Sequence, residues 1–262
     1  MGENERAQAI VTLIAIAWIS GLVCVVLFFD LTTRIVKRNW IALAGALAFL
    51  FADAFLNYVH AGCAYVPGLA CLILGTWFLI RDDGAAGEFW HVSLPSGACF
   101  AVAVLLWFPY GLVVPAATAL PFLMHDSNPR LRRIVWQTLG LCLVTGLFSY
   151  VVVVTGLGIL NSADLKAWIL SAGHGQMQSR GLIRLAFAIP RSFINLGLDG
   201  VFFKRYLMHD PYAPVPLAAL LRLSFWKLAL FYAFAAVLCI ELAASKSGRR
   251  MLVLLMSACL PI

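Results

Sequence analysis

Between Phe202 and Pro216 the chain reads FFKRYLMHDPYAPVP, gathering Lys204, Arg205, His209 and Asp210 inside a sequence that is otherwise mostly apolar. Arginine grips phosphate through a bidentate fork and lysine as a point charge, while a histidine beside an aspartate can hold a proton near neutral pH. Upstream, Arg180, Arg184, Arg191, Asn195 and Asp199 are separated by 4, 7, 4 and 4 residues, which places them on one face of a helix. Asp53, Asn57 and His60 have spacings of 4 and 3 and share a face in the same way. Ionisable groups set in an apolar span point to function by default. Each set also has a plainer reading. Basic residues beside a membrane contact ordinary anionic headgroups, which charge alone favours, and Asp53 can serve a polar contact between helices while His60 sits in a wet interface.

The elements that would position these residues can be read from composition. Of the 262 residues 63% are hydrophobic and only 12% charged, and the mean hydropathy is +0.92. Such a balance lies far outside that of a soluble domain and describes an all-α polytopic membrane protein. The net charge of +7 would suggest nucleic acid in a soluble protein; here the basic residues flank apolar runs, so they set topology and no nucleic-acid partner is expected. Cys24, Cys63, Cys71, Cys99, Cys142, Cys239 and Cys259 fall mostly within apolar runs at irregular spacing, with no disulfide framework or zinc pattern. His91 and His125 read as ordinary loop residues, and no cofactor motif appears. Glu3 and Glu5 before the first run are unlike the positive start of a signal peptide, so that run should stay in the protein.

Spans are expected at 10–29, 40–58, 65–80, 134–157 and 224–244, with 93–123 and 251–262 to be argued. Three loops are rich in basic residues: Arg34, Lys37 and Arg38; Arg130, Arg132 and Arg133; and Lys246, Arg249 and Arg250. All three should be cytoplasmic, so an even number of crossings must separate each pair. The segment 93–123 then becomes a tight pair of short helices hinged at Pro109, since proline removes a hydrogen bond and the residue before it avoids helical geometry. A single tilted helix is the competing reading, and it would strand Arg130, Arg132 and Arg133 on the wrong side.

The same parity leaves 158–223 outside the cytoplasm. A crossing by GLIRLAFAIPRSFINLGLDGVFF would bury two arginines and an aspartate, each costing about 2.5 to 3.5 kcal/mol at a span centre. Within this excursion NSADLKAWIL offers Asn161 or Ser162 as an N-cap, Asp164 in the first turn, and Leu165, Trp168 and Ile169 at helical spacing, a short helix lying in the interface. GHGQMQSRG reads as a glycine-bounded loop, and a second interfacial helix kinked near Pro190 should carry the arginine stripe. The run after Arg250 is too short to cross, so the sequence is expected to be cut from a longer protein. The whole is a bundle of about seven to eight transmembrane helices: 1–157 forms an N-terminal bundle, 158–223 an extracytoplasmic loop with interfacial helices, and 224–262 the C-terminal spans.

This layout resembles the GT-C superfamily of membrane glycosyltransferases. The similar parts are a span ending in a basic loop (LFFDLTTRIVKRNW), a second span running into FADAFLNYVHAGCAYVPGLACLILGTWFLIR, the proline-broken hairpin AVAVLLWFPYGLVVPAATALPFLM with NPRLRR after it, and the large outer excursion. The resemblance covers nearly all of the chain, in hydropathy and loop character, without a diagnostic motif. It implies a polyprenyl-phosphate-linked sugar as donor, membrane lipid as partner, the cytoplasmic (inner) membrane as location, and Arg184, Arg191, Lys204 and Arg205 as contacts to the lipid phosphate, with His209 a weaker contact to substrate; Asp53 and His60, on their own spacing, are further substrate candidates. In that superfamily the catalytic acidic residue lies in the first outer loop. Only Glu3 and Glu5 precede the run at residue 10, so the resemblance implies a chain that begins after that loop, or a relative without activity. A transporter or flippase with a site near Pro109, and a non-catalytic membrane scaffold, are the alternatives.

Overall fold

The computed structural model describes residues 3–81, 89–124, 129–159, 161–172, 189–190, 193 and 225–244, and among these it is helical with no strand. The helices are α1 (Glu3–Val36), α2 (Asn39–Leu50), α3 (Asp53–His60), α4 (Tyr65–Ile80), a π-helical turn Phe89–Ser93 leading into α5 (Leu94–Leu106), α6 (Tyr110–Ala119), α7 (Pro121–Met124), α8 (Pro129–Gly156), α9 (Ser162–Ala172) and α10 (Phe225–Ala244). By length and composition, Asn4–Val36, Phe89–Leu106 and Pro129–Gly156 are able to cross a membrane, and α2 with α3 passes the same test as a broken pair. Tyr65–Ile80, Tyr110–Ala119 and Trp226–Ile240 are shorter apolar helices. Their outward apolar surface, such as Leu143, Leu147 and Val151 on α8, is exposed, which is the surface a bilayer covers.

α1 outruns the apolar stretch 10–29 at both ends, because Glu3 to Gln8 are mostly good helix formers and Thr32 and Thr33 donate to carbonyls four residues back. It stops at Lys37, whose φ of 56° ends the helical path. The expected single span 40–58 is instead two helices bent by 55° around Phe51 and Ala52. Phe49 and Phe55, six residues apart, cannot meet on a straight helix; the bend puts their rings 4.5 Å apart, with Phe28 of α1 stacked 4.8 Å beyond Phe49. The hinge at Pro109 appears where sequence places it: Trp107 is extended and α6 starts at Tyr110.

Individual contacts set the register. Asp30 of α1 meets Trp77 of α4 and Cys24 meets Val66, so these helices run parallel. Ser96 of α5 donates to the carbonyl of Gly75 at 2.8 Å, and a Cβ on Gly68 would touch Ala103, so α4 and α5 are antiparallel. Ser93 meets Gln137 and Val104 meets Tyr150, which makes α5 and α8 parallel. Arg34, Lys37, Arg38, Arg81, Arg130, Arg132 and Arg133 therefore gather at one end, the basic end. Tyr58, Tyr65, Trp107 and Tyr110 gather at the other, the aromatic end. α8 leaves toward the aromatic end and closes in a Schellman turn, with Ile159 N–H to Val154, Gly158 N–H to Thr155 and Gly158 at φ 71°.

Candidate functional site

Two polar sets occupy the two ends of the bundle. At the aromatic end, α3 carries Asp53 in its first turn, where a carboxylate complements the helix dipole, and His60 in its last. Phe55 and Val59 are buried on its inner face, while Asn57 and His60 are exposed and Asp53 is half-buried. His60 packs edge-on against Trp18 of α1 at 4.8 Å. Among the described residues no hydrogen bond joins Asp53, Asn57 and His60, so they share a helix face without forming a catalytic pair.

Beside them stands an aromatic row. The rings of Tyr58 and Tyr65 lie 5.0 Å apart, those of Tyr65 and Trp107 4.8 Å, and those of Trp107 and Tyr110 4.9 Å. The Tyr110 hydroxyl donates to the Tyr65 carbonyl at 2.8 Å in the first turn of α4, and the Tyr150 hydroxyl to the Val104 carbonyl at 3.5 Å, which gives a partner to an acceptor in the last turn of α5. α9 joins this end: Asn161 accepts the Asp164 N–H at 2.7 Å as an N-cap, and Trp168 faces the Tyr150 ring at 6.5 Å.

At the basic end the Asp30 carboxylate accepts from Arg34 Nε and from Trp77 Nε1, each at 2.7 Å. The Arg81 guanidinium lies 4.7 Å from the Trp77 ring centroid. This clamp ties α1 to α4 and holds Arg34 and Arg81 beside it at the basic end. Sequence reasoning uses Arg34 for topology only and passes over Asp30 and Trp77. Two i,i+4 pairs, Asp30 with Arg34 and Trp77 with Arg81, are the signal it contains.

Of the residues singled out for phosphate or substrate, Asp53 and His60 are placed as above. Arg184, Arg191, Lys204, Arg205 and His209 lie outside the described residues, as do Arg180, Asn195, Asp199 and Asp210. Within that region Pro190 is buried and the Phe193 ring lies 5.9 Å from Phe231 of α10. Among the described residues no three His, Cys, Asp or Glu come together as a metal site. Compared with family models, curated proteins and solved structures, the chain matches none.

Proposed function

We propose that the chain is a membrane-embedded glycosyltransferase, or part of one, that uses a polyprenyl-phosphate-linked sugar on the extracytoplasmic side of the cytoplasmic membrane. In this reading the basic end faces the cytoplasm, α1, α2 with α3, α4, α5, α6 with α7, α8 and α10 cross as part of a seven- to eight-span bundle, and 158–223 lies outside. One observation carries it: the hairpin of α5 and α6 returns the chain to the basic end, where the first turns of α8 pass Ser93 at Gln137, so that α9 departs from the opposite end. Arg184, Arg191, Lys204 and Arg205 then stand at headgroup height. There they meet the charge that develops on a lipid phosphate as it leaves. His209, Asp53 and His60 face the substrate from the same side.

The test is transfer of radiolabelled sugar from a polyprenyl phosphate by membranes containing the chain. Arg191→Ala and Lys204→Ala should each lower the rate by about a hundredfold at unchanged expression, the scale of losing one donor to a developing anion. Unchanged rates in both would overturn the assignment. A transporter is the second reading, favoured by the non-helical backbone at Phe51–Ala52 and at Trp107–Pro109 within an otherwise helical bundle. Labelling of a cysteine near Pro109 that changes when a solute is transported would decide for it.

A further inference from the structure

The clamp between α1 and α4 fixes two arginines but uses little of their hydrogen-bonding capacity. The Asp30 carboxylate takes Arg34 through its Nε alone, and among the described residues the terminal nitrogens of Arg34 have no partner. Arg81 is exposed, lies over the Trp77 ring and pairs with no carboxylate among the described residues. A guanidinium carries five N–H donors, so most of those on both side chains are left over. Both side chains are also held in place, Arg34 by the ion pair and Arg81 by the ring, so part of the freedom that a long cation loses on gripping an anion is already lost on folding. Lys37 and Arg38 follow Arg34 within one turn and are exposed.

Two further observations describe what would fit there. From Asp30 toward the aromatic end, Val26, Leu22 and Ile19 recur at spacings of 4, 4 and 3, so they continue the same face of α1, and all three are exposed. The clamp is thus the polar end of an exposed apolar strip. Its height is marked by tryptophan, the residue that concentrates at membrane–water boundaries. Exposed Trp40, Trp90 and Trp136 all stand at the basic end, at the start of α2, in the π-helical turn and in the second turn of α8. Ser96 against Gly75 and Ser93 against Gln137 put Trp136 within about one helical turn of the height of Trp77. An occupant with an anionic head at the boundary and an apolar tail along the helix matches both parts.

We propose that the α1–α4 clamp binds an anionic phospholipid, with Arg34 and Arg81 gripping its phosphate and its acyl chains lying along Val26, Leu22 and Ile19. Asp30 does not compete with the phosphate for Arg34, because it occupies only the Nε side of the fork. A zwitterionic headgroup would bring its own ammonium beside Arg34, Lys37, Arg38 and Arg81, whereas phosphatidylglycerol brings negative charge alone. Asp82, Asp83 and Glu88, which follow Arg81 in sequence, lie outside the described residues. The inference rests on the membrane placement of the bundle. It concerns the end opposite the one from which α9 departs and is independent of the transferase chemistry.

The test titrates the purified chain in nonionic detergent with phosphatidylglycerol or phosphatidylcholine and counts retained lipid by native mass spectrometry. Phosphatidylglycerol should bind about tenfold more tightly than phosphatidylcholine. Arg81→Gln should weaken its binding by about tenfold, the scale of losing hydrogen bonds to a charged group. Arg132→Gln, which removes an exposed cation from α8 at the same end, should leave it within about twofold. Arg81 is exposed, so its variant should keep the helicity of the parent; should it misfold, Arg81→Lys replaces it and should bind a few-fold more weakly than the parent, since charge stays and the fork is lost. Equal retention of the two lipids would overturn the site, as would equal losses in Arg81→Gln and Arg132→Gln, which mean diffuse attraction to the whole basic end. Displacement of the lipid by an equal concentration of glycerol phosphate would show a site for free phosphate and overturn the lipid assignment. None of these outcomes alters sugar transfer, so the two readings fail separately.

Discussion

The seam joining α4, α5 and α8 is built from missing side chains, whereas the seam of α1 with α2 and α3 is built from large ones. A Cβ on Gly68 would lie 2.7 Å from the Tyr110 ring, one on Gly75 2.8 Å from Phe100, and one on Gly97 2.6 Å from the Cβ of Leu141. Backbones approach closely there, and Ser96 adds its buried hydrogen bond to the Gly75 carbonyl. Across the other seam a Cβ on Gly45 would meet nothing nearer than 3.8 Å and one on Gly21 would meet only the end of the Val59 side chain, at 3.0 Å, while the Phe28–Phe49–Phe55 stack fills the space between. Lipid tails are as apolar as leucine, so within a bilayer helices associate through close packing and hydrogen bonds rather than through escape from water. The glycine seam uses both means; the aromatic seam relies on contact area, and the Asp30 clamp ties α1 to α4 instead.

Breaking the glycine seam should have the largest effect. In Gly97→Ala the new methyl meets a Cβ and the Thr138 carbonyl oxygen at 3.1 Å, neither of which can swing away, so the helices must separate. A loss of about 3 kcal/mol is expected, at the upper end for overpacking. It would be read as a lower midpoint when SDS is titrated against helicity in mild detergent, and an unchanged midpoint would refute the seam. Trp77→Phe keeps an aromatic ring but removes the hydrogen bond to Asp30. Because Asp30 is 41% exposed, water substitutes in part, and about 1 kcal/mol should be lost by the same titration. Gly140→Ala sharpens the contrast from the other direction: nothing lies within 4 Å of its Cβ position, so the variant should be as stable as the parent or more stable by up to about 1 kcal/mol. A clear loss there would mean that glycine itself, rather than close approach, is what matters.

Much of the helical layout was legible because hydropathy and local stop signals are sequence-local. The run 65–80 is α4 itself, Pro109 divides the hairpin, and Asn161 caps α9. The break at Phe51–Ala52 was not legible, since neither glycine nor proline marks it; it arises from phenylalanines packing across helices. The site was read less well. Asp53 and His60 share a face as their spacing requires, but the structure adds no hydrogen bond between them. Asp30 and Trp77, distant in sequence, form a 2.7 Å polar contact between helices at the basic end.

By itself the sequence determined that this is a helical chain with apolar stretches long enough for a bilayer, and where several of its helices start and stop. These depend on each residue's own transfer energy and backbone preference, which neighbours in space barely alter. Only the tertiary structure decided which glycines lie where helices press together, that α2 and α3 bend apart, and that Asp30 meets Trp77. Those properties belong to pairs of helices and to their register, and no single stretch of chain encodes the distance to another.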